Sequence, residues 1–599
     1  MATAAEHLAD PELLATEWDL RPLVDGDTES GTQRLLEEAS GLAEEFAARY
    51  AGRIAELDGP RLEQAMRELA DINDRVGRAA SYASLRFATD TADPPRGALL
   101  QLVQERATAV ETQLLFFELE WAALEDERAE ELLRHDGLDF ARHYLHSARR
   151  YRPHLLTEPE EKILAEKAIS AQSAWSRLFG ELVSALRVSL DGEELALDVA
   201  LSRLLTPDRE VRRAAAQAVS AALEPGLRTR AFIYNTLLHD KSVEDRLRRY
   251  PHWLASRNLA NEASDESVLA LIEAVRRRYD IPQRWYRLKA RLLGIERLAD
   301  YDRSAPISAE DAVFSYSEAQ ELVLDTYESF STQAGATVRR FFDERWVDAP
   351  VRPHKRGGAF CSYTVPSVHP YVLLNFTARR RDVLTMAHEL GHGLHAALAQ
   401  PRGIFHQSTP LTLAETASVF GEELVFGRLL EGTGDGQERL ALLAEKIDGS
   451  IATVFRQMAM NRFEHLVHTR RRSEGELSSE RINETWRETQ AELFGDSVEI
   501  TDGYLKWWSY VPHFINTPGY VYAYAYGQLL ALSAYGRYLQ EGDPFVPRYL
   551  EMLSAGGSRS PQELGAIIGI DLADPGFWDA GLALIEDQLS EAERLAGEG

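Results

Sequence analysis

Residues 385–395 read TMAHELGHGLH, three histidines and one glutamate in a run with no other charged side chain. Within it, His388-Glu389-Leu390-Gly391-His392 fits the pattern H-E-x-x-H. On a helix, residues four apart rise about 6 Å and point the same way, so both imidazoles can converge on one ion. Glu389, one residue round, can reach a water beside that ion. The competing reading is an ordinary helix rich in histidine. With 16 histidines in 599 residues a chance match is uncommon, though not negligible. Periodicity separates the two. At about 100° per residue, Val383, Met386, Ala387, Leu390, Leu394 and Ala397 form one apolar stripe. His388, His392 and His395 fall together, away from that stripe. A helix that buries one face and gathers its histidines on another suits a metal site at a cleft.

Catalytic zinc takes three protein ligands and keeps a fourth position open. His395 is a weak candidate for the third. It lies about 10 Å along the axis from His388, and three ligands in a row on a straight helix do not easily surround a tetrahedral ion. The longer pattern H-E-x-x-H-x-x-G-x-x-H fails too, because the chain has His395 and Leu398 where it needs Gly and His. Downstream, LTLAETASVFGEELVFG (411–427) reads as a second helix. From there Glu415 brings a carboxylate in a new direction, and it is the expected third ligand. Glu422, seven residues on, shares its face. It is a candidate acceptor for a histidine N–H, with a solvated surface charge as the alternative.

The rest of the chain bounds the function. Hydrophobic content of 45% and charged content of 27% are those of an ordinary globular protein. A net charge of -29, with no basic stripe interleaved with aromatics, argues against a nucleic-acid partner. Cys361 is the single cysteine, so no intrachain disulfide is possible and an oxidising compartment is not implied. The opening residues lack a basic segment followed by an apolar core, so no signal peptide is expected there. Residues 507–536 carry no Asp, Glu, Lys or Arg, yet Pro512, Asn516, Pro518, Gln528 and six tyrosines make a membrane span a poor reading. The expectation is a cytoplasmic protein with no membrane partner, and nothing in the sequence sets its oligomeric state.

Ala, Leu, Glu and Arg dominate long amphipathic windows, so the fold class is mostly α. Thr157 to Glu160 and Ser560 to Glu563 have the spacing of capping boxes, and Thr206-Pro207 reads as another helix start. VSLDGEELAL (188–197) reads as a hairpin around Asp191-Gly192, and AFCSYT and YVLLNF as short strands before the histidine helix. YVLLNF is read either as an edge for an extended peptide or as a core strand. A domain boundary is placed near residue 200, giving units 1–200 and 201–599.

Four segments occur in this order: KRGGAFCSYTVPSVHPYVLLNF (355–376), DVLTMAHELGHGLH (382–395), LAETASVFGE (413–422) and PHFINTPGYVYAYAYG (512–527). Together they resemble the thimet-oligopeptidase-like zinc metallopeptidases, most closely the oligoendopeptidase F branch. The resemblance runs from EWDLRPLV (17–24) almost to the C-terminus. It implies a two-lobed, mostly α, zincin-like peptidase with a deep substrate channel and a small β-sheet beside the active-site helix. It implies one Zn2+ per chain on His388, His392 and Glu415, with Glu389 as general base for a water that the zinc activates. In the family a histidine and tyrosines on a glycine-containing loop close over the substrate and stabilise the oxyanion. His513 matches that histidine. For the tyrosine, Tyr520 is favoured and then Tyr526, while the alternation YVYAYAY leaves Tyr522 and Tyr524 open. Expected substrates are short peptides cut internally. The alternatives are a metallocarboxypeptidase on a similar helical shell and a non-catalytic peptide-binding derivative.

Overall fold

Helix signals act at the ends they mark. In the computed structural model, which describes residues 4–26, 29–308, 312–574 and 576–598, Thr157 caps the Glu158–Ser170 helix through a capping box with Glu160. Ser560 and Glu563 do the same for Pro561–Ile567. The start expected at Thr206-Pro207 comes two residues later. Asp208 has a carboxylate that accepts the free N–H groups of Glu210 and Val211, so it is the better cap for Arg209–Leu223. The expected hairpin pairs Arg187–Leu190 with Glu193–Ala196, and Asp191 and Gly192 both take the positive φ that a tight turn requires.

Helices dominate both compact units, and each unit is assembled from three separate segments. The first takes Met1–Arg152, Asp311–Leu429 and Arg537–Asp571; the second takes Pro153–Glu310, Leu430–Gly536 and Leu572–Gly599. Compactness therefore divides the chain differently from a single cut near residue 200. Ala200 lies inside the Leu197–Ser202 helix of the second unit. Packing between distant segments, not their order along the chain, assigns them.

In the first unit the Glu29–Tyr50, Gly59–Thr89 and Pro94–Ala123 helices pack around Phe46, Met66, Leu69, Val110, Phe117 and Trp121. The Trp121 ring is fully buried and its indole N–H donates to the Leu145 carbonyl at 2.8 Å, so its burial leaves no polar atom unpaired. A three-stranded sheet follows, with Tyr371–Phe376 in the middle, parallel to Val347–Pro350 and antiparallel to Phe360–Ser362. YVLLNF is thus a core strand, buried at five of its six positions, and the edge on the other side belongs to Phe360–Ser362. Lys355, the first residue of the KRGG motif, is a structural cation. Its buried ammonium is held by the Asp348 carboxylate and by the carbonyls of Pro350 and Leu374, which ties the loop to the sheet.

The second unit contains the Leu227–Leu247, Asp265–Arg277, Gln457–Glu474, Ser479–Phe494 and Phe577–Glu598 helices. Residues 507–526 run through it as a 3-10 turn, the short His513–Asn516 helix, and the start of Tyr522–Glu541. Among the described residues, no helix is long and apolar enough to cross a membrane.

Candidate metal centre and active site

Two helices of the first unit build the centre. HELGH lies in the Arg380–Ala399 helix, whose first turn is fixed by Asp382 accepting the N–H groups of Thr377 and Arg379 at 2.7 and 2.9 Å. AETASVFGE lies in Leu411–Gly432. Glycines let these helices touch. A Cβ on Gly391 would stand 2.5 Å from the Ala417 carbonyl oxygen, and one on Gly421 would stand 1.9 Å from the Tyr327 hydroxyl. That hydroxyl donates to the Ala387 carbonyl at 2.9 Å, and the Tyr549 hydroxyl donates to Thr416 at 3.0 Å. Two buried tyrosines therefore brace the backbone next to His388 and next to Glu415. Sequence reasoning missed both, since neither lies near a motif.

The expected ligands come together. Glu415 Oε2 lies 3.3 Å from His388 Nε2 and 3.6 Å from His392 Nε2, and the three donor atoms lie within 4.8 Å of one another. A tetrahedral ion with bonds near 2.1 Å has ligand atoms about 3.4 Å apart, and the two distances from Glu415 to the histidines fit zinc. The donor chemistry fits as well. Burial favours a neutral His388, but the carboxylates of Glu415 and Glu422 outweigh it and hold the ring up to about 10. Glu422 Oε2 lies 3.2 Å from His388 Nδ1, so that nitrogen donates to the carboxylate and Nε2 is the nitrogen that faces Glu415 and the candidate metal position. This is the acceptor role the sequence suggested. Ser418, which the sequence did not mark, donates to Glu415 Oε2 at 2.8 Å and orients that carboxylate.

His395 does not join them. It is buried at 3% exposure, stands edge-on to Tyr363, and is held down to about 3 by burial, as a neutral ring. Glu389 is buried on the same helix. Burial pushes its carboxyl up to about 7, opposed by the nearby His388 ring and by a hydrogen bond from the Cys361 backbone in the edge strand.

In the second unit the four tyrosines separate into two pairs. Tyr522 and Tyr526, one turn apart, face the core. Asn261 donates to the Tyr522 hydroxyl at 2.9 Å, the Tyr526 hydroxyl shares a 3.1 Å bond with Ser267, and the Tyr526 ring packs edge-on against Trp578. Tyr520 and Tyr524 face His513 instead. Tyr520 stacks on the imidazole at 5.8 Å, and Tyr524 shares a 3.1 Å hydrogen bond with His513 Nε2. Of the two tyrosines favoured from sequence, Tyr520 keeps company with His513 and Tyr526 is a packed core residue. The signal that could have separated them is the helical period, which pairs residues four apart across the apparent alternation.

A H-E-x-x-H helix, with a carboxylate supplied from a second helix in a mostly α fold, defines a helical metallopeptidase. The profile of "Peptidase family M3" matches residues 204–584, and a profile described as "Oligopeptidase F" matches residues 120–187. The chain belongs to peptidase family M3 and is a metallopeptidase. Over 561 residues it is 26% identical to oligopeptidase PepF of Bacillus subtilis, spanning 92% of this chain and 83% of that protein. A solved chain from Chlamydophila abortus shares the fold with TM-score 0.85 at 24% identity over 98% of both chains. Oligoendopeptidase-F of Enterococcus faecium shares it with TM-score 0.73 at 23% identity, over 95% of this chain and 99% of that one.

Proposed function

We propose that this protein is a zinc-dependent endopeptidase that hydrolyses internal bonds of short peptides. The observation that carries the reading is the convergence of His388, His392 and Glu415, with donor atoms within 4.8 Å of one another and the buried Glu389 on the same helix. Zinc held by those three residues supplies a Lewis acid that makes water nucleophilic near neutral pH and polarises a carbonyl. Glu389, buried one residue from His388, accepts the proton of the attacking water and returns it to the leaving nitrogen. Glu422 keeps the His388 ring in the tautomer that presents Nε2. The Phe360–Ser362 edge offers backbone groups along which an extended peptide can lie as an added strand. His513 and Tyr520 are assigned to donation toward the tetrahedral oxyanion, on the family resemblance and on their mutual stacking. Short peptides are the substrate class because the relatives carry the names oligopeptidase and oligoendopeptidase. A reducing, cytoplasmic setting fits a chain whose one cysteine is Cys361.

Product masses from a mixed peptide library, compared between wild type and Glu389→Gln, test this reading. Wild type is expected to give internal fragments. The variant is expected to keep its zinc and lose at least about 10²-fold in turnover, because an amide cannot accept the proton. Removal of C-terminal residues alone would point to the carboxypeptidase alternative. A variant with more than about a tenth of wild-type activity would remove Glu389 from the role of base.

A further inference from the structure

The segment Thr517-Pro518-Gly519-Tyr520 is a β-turn, closed by the Tyr520 N–H donating to the Thr517 carbonyl at 3.1 Å. Proline at its second position and glycine with φ +75 at its third mark it as type II. Types I and II differ by a flip of the central peptide group, here the one joining Pro518 to Gly519. Both ends of that group are held by ionisable side chains. Its carbonyl accepts from Arg257 Nε at 3.4 Å, and its N–H donates to Glu464 Oε1 at 2.8 Å. Glu464 belongs to the Gln457–Glu474 helix and is fully buried. Below the turn, a Cβ on Gly519 would stand 2.5 Å from Leu254 Cδ1 and 3.4 Å from the Trp253 ring, so a side chain there would displace Leu254.

A carboxyl is costly to bury, and a type II turn does not need one to form. The cost is understandable where one orientation of one peptide must be enforced. We propose that Glu464 is a positioning residue for the reaction: it locks the Pro518–Gly519 peptide in the type II orientation and so fixes Tyr520 against His513. The inference rests on the reading of Tyr520 as an oxyanion donor. Glu464 meets no reacting atom and acts through the turn. Burial pushes its carboxyl up to about 8, so a neutral glutamine, which keeps the carbonyl acceptor, is the fitting conservative replacement.

The experiment uses the zinc-loaded, full-length enzyme and an internally quenched fluorogenic peptide, with Glu464→Leu, Glu464→Gln, Tyr520→Phe and Glu464→Leu/Tyr520→Phe. Amide hydrogen exchange is followed on the fragment covering residues 513–524. Glu464→Leu is expected to lower kcat by about 10- to 100-fold with KM within twofold, and to lose protection in that fragment. Glu464→Gln is expected to stay near wild type, and the double variant to be no slower than Tyr520→Phe, because both changes disable one donor. Unchanged protection in Glu464→Leu while Tyr520→Phe is crippled overturns the clamp alone. Wild-type kcat in Tyr520→Phe overturns the donor reading, and the positioning role with it. A full multiplicative loss in the double variant also overturns the proposal. Should Glu464→Leu fail to fold, Arg257→Leu, which releases the same peptide from its carbonyl side, is read by the same measurements and criteria.

Discussion

At the scale of single residues, side chains of one type play different parts a few positions apart. His388 and His392 face Glu415, while His395, three residues on, is buried against Tyr363. His388→Ala and Glu415→Ala are therefore expected to come off a column without zinc, and His395→Ala to retain about one equivalent by atomic absorption. An empty His395→Ala beside a loaded Glu415→Ala would reverse the ligand assignment. The tyrosines divide in the same manner. Tyr520→Phe is expected to lower kcat by about 10²–10³ with little change in KM, the signature of a donor used in the transition state. Tyr526→Phe removes the bond to Ser267 and is expected to lower stability by about 1 kcal/mol while kcat stays near wild type. Steady-state kinetics and thermal melts on the two variants read both outcomes. The shared facing of His388 and His392 was legible in the sequence because their spacing is the spacing of the helix that carries them. The tyrosine was not, because four candidates at every second position look alike until a helix start sorts them.

At the scale of elements, the centre exists because two helices approach more closely than ordinary side chains allow. Gly391 meets backbone of the Leu411–Gly432 helix, and backbone cannot swing aside. Gly391→Ala is expected to push the helices apart, lower stability by about 1–3 kcal/mol, and loosen zinc by moving Glu415 from the two histidines. Melting curves and competition with a metal chelator measure the two effects. A variant with unchanged melting and unchanged metal affinity would show that the helices separate without cost. The Gly391 signal stands in the motif itself, but its reason does not. Only the crossing of a second helix explains why a position between two ligands has no side chain. The sheet teaches the same lesson. YVLLNF reads equally as edge or core, and pairing on both sides makes it core.

At the scale of the whole molecule, the chain is a 599-residue metallopeptidase of net charge -29, and relatives along most of its length are named oligopeptidases. Expected behaviour is selective by substrate size. Unstructured peptides are cut, and a compact folded domain of similar sequence content is left intact, because a chain must be extended to add to a strand edge. Incubation with one protein in native and in unfolded, fragmented form, followed by mass spectrometry, checks this. Efficient digestion of the native form would remove the restriction to short peptides.

The sequence by itself determined the helical class and marked His388, His392 and Glu415 as a candidate metal-binding group with Glu422 as an acceptor beside it, and the structure brings these side chains together. The pairing of His388 with His392, and of Glu415 with Glu422, follows from periods of four and seven residues that a helix converts into one face, while the family resemblance pointed to the meeting of the two helices. Tertiary structure alone decided the rest. It assembled each compact unit from three segments, made YVLLNF a central strand, braced the ligand helices with Tyr327 and Tyr549, and set Tyr520 rather than Tyr526 beside His513. The physical reason is that these outcomes depend on contacts between residues far apart in the chain, for which local spacing carries no signal.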